Sequence, residues 1–275
     1  MSIFQALVLG IIQGLTEFLP VSSSGHLVIA QHLIGIPNNI SFDLVVHLAT
    51  VLAVIIYFAR DIWELIVAFI LGTLEAFKIK RSQNYVFGQH FRVGWLIIIA
   101  SIPTALMGFF FKDFFEALFN SNLAVGGFLL VTAAVILLAE WRGKNNRDEF
   151  QVGFLDAIII GVAQGCAIAP GLSRSGATVS AALWRGLKRD FAARFSFLLA
   201  IPAILGAGIF KFGDVSSDIA GGVIGVWPLL AGAIAALVSG LFAIKIFMEI
   251  IRRTSIRCFA YYCIVLGIVV IVCFR

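Results

Sequence analysis

Apolar runs long enough to cross a bilayer recur six times in this chain, over residues 42–59, 93–111, 123–140, 191–211, 223–247 and 258–274. An α-helix rises about 1.5 Å per residue, so ~18 residues cover most of a ~30 Å hydrocarbon core. Continuous runs of this length predict spanning helices. Composition agrees: of 275 residues, 61% are hydrophobic and 13% charged, about half the charge of an ordinary soluble domain. The 26 Phe and 26 Gly suit lipid-facing surfaces and close helix contacts. A soluble protein with an unusually apolar core is set aside on these grounds. The first apolar stretch has neither a basic leader nor a small-residue cleavage site, so it reads as part of the mature chain. Cys166, Cys258, Cys263 and Cys273 lie in or beside apolar runs without metal-ligand spacing.

Two regions break the pattern. Residues 3–19 are apolar, the chain is interrupted from Pro20 to Gly25, and 26–35 is apolar again. Residues 153–169, 170–177 and 178–187 repeat that plan. The second arm of each is too short to span, which predicts re-entrant helical hairpins over 3–35 and 153–187 with polar motifs at their tips.

Basic residues orient the spans. Loop 78–92 carries Lys78, Lys80, Arg81 and Arg92; loop 141–150 carries Arg142, Lys144 and Arg147. Segments 185–190 (Arg185, Lys188, Arg189) and 249–257 (Arg252, Arg253, Arg257) are also basic. These four are expected in the cytoplasm. The acid-bearing loops 112–122 (Lys112, Asp113, Glu116) and 212–221 (Asp214, Asp218) are expected outside, as are both termini. Residues 61–77 then lie along or just within the cytoplasmic surface. The net charge of +5 is explained by these loops and gives no reason to expect a nucleic-acid partner.

The halves are also related. Gly10, Gln13, Gly14, Ser22, Ser24 and Gly25 match Gly161, Gln164, Gly165, Ser173, Ser175 and Gly176 without a gap, and Trp95 and Gly108 share their spacing with Trp227 and Gly240. The loop charges run the two Trp-containing spans in opposite directions. The expected fold is an all-α polytopic membrane protein with an inverted-topology repeat: six spanning helices and two re-entrant hairpins, about ten helical segments. Residues 1–140 form the first repeat with its motif at 13–26, and 150–275 the second with its motif at 170–178. The tips enter from opposite faces and meet near the midplane.

Polar groups at that depth are costly and mark a working site. Arg174 sits among Ser173, Ser175 and Thr178, with Gly171 and Gly176 beside it. A guanidinium matches phosphate oxygens bidentately, and hydroxyls and backbone N–H groups add donors. Its structural alternative is neutralisation by a buried acid, Glu17 or Asp156. Gln13 and Glu17 are one turn apart and share a helix face. Glu17 suits a general base, or an oxygen ligand for Mg²⁺ or Ca²⁺ with Gln13 beside it. Ser22, Ser23 and Ser24 lie on the turn and His26 follows; Ser23 or His26 can attack phosphorus while the other moves a proton. Ser22 and Ser24 equally suit satisfaction of backbone groups at a broken helix. His47 lies one turn from Asp43 and is read as supporting the site from behind. Walker-type, haem, zinc and Rossmann signatures are missing from the sequence.

These segments resemble the bacitracin-resistance family of undecaprenyl-diphosphatases. The first family signature is met by Gln13, Glu17, Pro20, Ser22, Ser23, Gly25 and His26, the second by Pro170, Gly171, Ser173, Arg174, Ser175 and Thr178. Weaker matches run through Phe42 to His47 and Phe195 to Pro202. Gln13 stands where many members carry Glu, and Arg194 where members often carry Glu. The resemblance implies removal of the terminal phosphate of undecaprenyl diphosphate, a divalent cation, and action from the outer side of the inner membrane. It also implies recycling of the peptidoglycan lipid carrier and bacitracin resistance. The expected roles are Glu17, Ser23, His26 and Arg174 in catalysis, and Gln13, Ser22, Ser173, Ser175 and Thr178 on the substrate. Gln13 and Glu17 are the expected metal ligands. The nucleophile stays open between Ser23, His26 and water. The rival reading is a transporter or flippase for a lipid phosphate or anion, built on the same repeat. A homo-oligomer is compatible with either.

Overall fold

The computed structural model describes residues 1–37, 39–76, 85–119, 121–142, 146–222 and 224–273. Lys78, Lys80, Arg81, Lys144 and the side chain of Asp214, used above for orientation, lie outside the described residues. The helices are α1 (Ile3–Phe18), α2 (Ser23–Ile34), α3 (Ile40–Tyr57), α4 (Ala59–Ala76), α5 (Tyr85–Phe110), α6 (Lys112–Leu118) and α7 (Asn122–Arg142). After a 3₁₀ turn at Glu149–Gln151 come α8 (Phe154–Cys166), α9 (Arg174–Trp184), α10 (Arg189–Ala220), α11 (Val226–Arg253) and α12 (Arg257–Cys273). The protein is an all-α polytopic membrane protein, with no strand among the described residues.

Five of the six apolar runs become helices long and apolar enough to cross a membrane: α3, α5, α7, α10 and α11. The sixth, 258–274, becomes α12, a 17-residue apolar helix. Lipid-facing surface is plain along α11, where Leu230, Ile234, Val238 and Phe242 form an exposed stripe at one-turn spacing. Such a stripe suits contact with hydrocarbon. Two helices exceed the expected ten. One is α4, which carries Asp61 and Glu64 on one side, while Ile62 and Leu65 pack on the core. The other is the short α6, in the acid-bearing loop.

Both hairpins form with helical breaks close to those expected. The first resumes at Ser23, inside the interval predicted as broken. In the second, α8 stops at Cys166 and α9 starts at Arg174, so the break is 167–173. The serine N-caps explain the early restarts: Ser22 Oγ accepts from Gly25 N (3.3 Å) and Ser173 Oγ from Gly176 N (3.0 Å).

Small residues let the hairpins dock at backbone distance. α1 packs on α11 and α8 on α5. A Cβ added to Gly10 would strike the carbonyl of Gly232, and one added to Gly161 would strike that of Ala100. One turn on, Gly14 meets Ser239 and the Ala236 carbonyl, while Gly165 meets Met107. Ala100 follows Trp95 by the same number of residues as Gly232 follows Trp227. The sequence-matched positions therefore make matching contacts. α3 also packs on α10, and α7 on α12.

Charged loops gather by sign. Arg147 donates to Asp156 (2.6 Å) and to the Arg185 carbonyl (2.6 Å); Arg185 also reaches Asp156 at 2.6 Å. Arg189 pairs with Glu140 (2.6 Å), and its guanidinium also reaches the Thr254 carbonyl (2.9 Å). Arg252 bonds Asp190, and Arg92 bonds the Val152 carbonyl at 2.6 Å. Arg194 bridges Asp61 (2.9 Å) and Asp190 (3.3 Å). The basic segments thus meet at one end of the bundle. Elsewhere Lys211 pairs with Glu116 (3.2 Å), and Ser41 donates to Asp218 (2.5 Å).

The glycine contacts yield a test. Gly10→Val and Gly161→Val should each lower the thermal midpoint of the detergent-solubilised protein, consistent with ~1–3 kcal/mol of overpacking. Gly127→Ala, with open space at its Cβ, should leave it within error of the parent. Size-exclusion recovery after heating reads this out, and a Gly10→Val protein as stable as the parent would refute the contact.

Candidate active site

The two hairpin tips meet. Between α1 and α2 the chain turns through Leu19 to Ser22, and Ser22 adopts a left-handed φ of 69°. It is the one non-glycine residue with positive φ among those described, a conformation costing ~1–3 kcal/mol and concentrated at functional sites. At the other tip Gly171, φ 91°, lies against the Val125 carbonyl, where a side chain would not fit. Ser175 Oγ donates across the tips to the Leu19 carbonyl at 3.0 Å.

Glu17 organises what lies between them. It is buried. Its Oε1 accepts from Arg174 Nη2 at 2.5 Å. Its Oε2 accepts from Gln13 Nε2 at 2.9 Å and from the hydroxyl of Ser23. His47 Nε2 stands 3.5 Å from that same oxygen. Arg174 also points Nη1 at the Ser196 carbonyl, 3.4 Å away. Of the two acids considered as its partner, Glu17 is the one; Asp156 instead serves Arg147 and Arg185. A guanidinium and a carboxylate removed from water need such mutual compensation.

Ser23 and Arg174 are the first residues of α2 and α9. The first residues of two short helices therefore touch the same carboxylate, and helix N-termini suit anions. The remaining hydroxyls are committed to the scaffold. Ser22 and Ser173 cap helices, with Ser22 Oγ 3.3 Å from Ser24 Oγ and Ser173 Oγ 3.2 Å from Ser175 Oγ. Thr178 Oγ1 lies 2.8 Å from the Arg174 carbonyl and 2.5 Å from Ser196 Oγ. Thr132 ties the second tip to α7, donating to the Gly171 carbonyl (3.0 Å) and accepting from Ser173 N (2.9 Å).

His26 stands beside this centre. Its Nδ1 lies 2.8 Å from the Ser22 carbonyl, which can only accept, so Nδ1 carries the hydrogen. Its Nε2 is 2.7 Å from the Tyr262 hydroxyl, and the two rings stack at 5.7 Å with planes 6° apart. The Ser23 hydroxyl points to Glu17, so Ser23 and His26, both in the first turn of α2, have separate partners. Tyr262 and Thr132 escaped the sequence reading, and Ser196 entered it only within the weaker match from Phe195 to Pro202. All three lie in apolar stretches, and Tyr262 is 236 residues from the histidine it bonds.

For a hard cation, Glu17 offers a carboxylate and Gln13 a carbonyl. Gln13 Oε1 is buried and has no hydrogen-bond partner among the described residues. That orphaned oxygen, on the same helix face as a carboxylate, suits a hard cation, since Mg²⁺ sites often use only one or two protein groups. No cluster of three or more His, Cys, Asp or Glu side chains exists among the described residues.

A bundle of spanning helices enclosing a guanidinium, a carboxylate and the first residues of two short helices defines an integral membrane protein with a buried charged site. Residues 6–269 match the family model described as bacitracin resistance protein BacA, and the chain belongs to that family. It is 41% identical to an undecaprenyl-diphosphatase of Methanosphaera stadtmanae over 99% of this chain and 98% of the relative. The corresponding protein of Alkaliphilus metalliredigens is 42% identical over 98% of each chain. That of Carboxydothermus hydrogenoformans is 44% identical, covering 99% of this chain and 97% of its own.

The ion pair predicts non-additivity. Glu17→Gln or Arg174→Gln alone strands one buried charge and should destabilise by ~3–5 kcal/mol. The double variant should be less destabilised than the sum by more than ~1 kcal/mol. Strict additivity in denaturant unfolding would mean the two side chains do not interact.

Proposed function

We propose that this protein hydrolyses undecaprenyl diphosphate to undecaprenyl phosphate and inorganic phosphate. That reaction returns the lipid carrier to peptidoglycan synthesis and protects against bacitracin. The observation that carries the reading is the Ser23 hydroxyl donating to Glu17 while Glu17 also holds Arg174. A nucleophile, its base and a phosphate-binding cation thereby share one carboxylate. Family membership supports the substrate, because the relatives above bear the name undecaprenyl-diphosphatase.

Phosphoryl transfer needs positioning and charge neutralisation more than covalent assistance. In the proposed reaction Arg174 and the N-termini of α2 and α9 hold the diphosphate, with Ser173, Ser175 and Thr178 fixing the second tip. Glu17 takes the Ser23 proton as Ser23 Oγ bonds the terminal phosphorus. The bridging P–O bond breaks and undecaprenyl phosphate leaves with the bond electrons. Water then cleaves the phosphoserine, releasing phosphate, and the serine regains a proton. His26 is assigned the proton-shuttle role; in the resting geometry it bonds Tyr262 and the Ser22 carbonyl rather than Ser23 or Glu17. A bound Mg²⁺ or Ca²⁺, held by Glu17 and Gln13, would supply further neutralisation of the phosphate charge.

The two halves are read as an inverted repeat, because matched glycines make matched contacts and loop charges alternate. The positive-inside rule then puts the basic end in the cytoplasm. On this reading the protein lies in the cell's inner membrane with its substrate opening and both termini outside.

The test is phosphate release from farnesyl diphosphate by the purified full chain in detergent. Arg174→Ala should cut kcat/KM by ~10²–10³-fold or more, as loss of a charge-stabilising donor does elsewhere. Ser23→Ala should abolish turnover, and rapid acid quench should trap an acid-stable phosphoserine on the parent. An acid-labile adduct at His26 would overturn Ser23 as nucleophile. No release by the parent, with or without Mg²⁺, would favour transport of a lipid phosphate instead.

A further inference from the structure

We propose that His47 is itself a cation ligand of this site, making a mixed nitrogen–oxygen seat with Glu17 Oε2 and Gln13 Oε1. The inference rests on the reading that a divalent cation enters the site, and it identifies a ligand from a third helix, α3. His47 Nδ1 lies 2.6 Å from the backbone carbonyl of Asp43, one turn earlier. A carbonyl only accepts, so Nδ1 carries the hydrogen, and in the neutral ring Nε2 presents a bare lone pair. That nitrogen lies 3.5 Å from Glu17 Oε2. Two acceptors at that separation repel, and a positive ion between them removes the repulsion. Donors ~2.0–2.2 Å from one ion stand roughly 3 Å apart, close to the separation here.

Two further observations bear on the same carboxylate. Gln13 Oε1 is buried and unpartnered among the described residues, a cost that coordination would remove. The amide that bears it touches Glu17 Oε2 through Nε2, so a turn of that amide about its last torsion brings Oε1 to the same point. A ring N–H given to a backbone carbonyl is also the usual way proteins orient a metal-binding imidazole. Arg174 takes the other carboxylate oxygen, Oε1, so the ion would share Oε2 with the Ser23 hydroxyl and replace the Gln13 N–H there. Three protein donors leave positions for water or a phosphate oxygen. An imidazole in the set shifts preference from Ca²⁺ and Mg²⁺ toward Mn²⁺ and later transition ions.

The experiment is Mn²⁺ binding to the tag-free, detergent-purified full chain, followed by the free-ion EPR signal and by electron spin-echo modulation. One Mn²⁺ per chain should bind with ¹⁴N modulation. That modulation should vanish in His47→Gln, with affinity falling ~10–100-fold. Labelling the parent with ¹⁵N-histidine should change the modulation to that of ¹⁵N, a check that needs no variant to fold. Mn²⁺ bound without nitrogen coupling, unchanged affinity in His47→Gln, or no binding at 1 mM ion (on the order of typical weak metal sites) would overturn the proposal. Each of these results would leave His47 only a counter-charge for Glu17. Phosphate release in the same samples separates the two readings: hydrolysis without nitrogen coupling sinks the ligand, and coupling without hydrolysis sinks the enzyme.

Discussion

A single carboxylate in the middle of the bundle holds the site together. Glu17 neutralises Arg174 through one oxygen and receives Gln13 and Ser23 on the other. Removing either charge leaves its partner isolated in a medium that solvates ions poorly. The proposed chemistry uses that tension. An incoming diphosphate competes with Glu17 for the guanidinium, and a carboxylate released from Arg174 becomes a stronger acceptor for the Ser23 proton. The resting ion pair and the catalytic base are then two states of one residue.

Everything around Glu17 serves to bring two helix starts to one point. Ser22 tolerates a left-handed backbone so that α2 can begin at Ser23. Gly171 gives up its side chain so that the second tip can lie on α7. The arms behind the tips are fixed by backbone contacts at Gly10 and Gly161. Packing of small residues replaces the hydrophobic driving force that lipid cannot provide. Ser23 and Arg174 stand at equivalent places in their hairpins, so matched scaffolds present a hydroxyl from one side and a cation from the other.

The spans, both hairpins and the Arg174–Glu17 alternative were legible because hydropathy, proline–glycine breaks and isolated charges are local signals. Helix α4 was harder: Arg60, Asp61 and Glu64 dilute its apolar face, and only packing against α5 shows that face to be used. Tyr262 could not be found, since an aromatic residue in an apolar run looks like lipid contact until His26 appears beside it. Ser22, Ser173, Ser175 and Thr178 were recognisable as tip residues, but whether a hydroxyl faces a ligand or its own backbone depends on rotamers that sequence does not encode. His47 was noticed for its spacing from Asp43; its approach to Glu17 comes from the packing of α3 near α1.

The pairing of the first hairpin with distant partners also bears on how the chain is made. Synthesis runs from the N-terminus, and domains form as their parts become available. α1 docks on α11, Glu17 finds its counter-ion 157 residues later, and His26 finds its hydroxyl only in α12. Until those segments leave the ribosome, Glu17 lacks its guanidinium and His26 its phenol, while Gln13 and Ser23 already lie within reach of Glu17. The site can therefore close only after α9, α11 and α12 have been made.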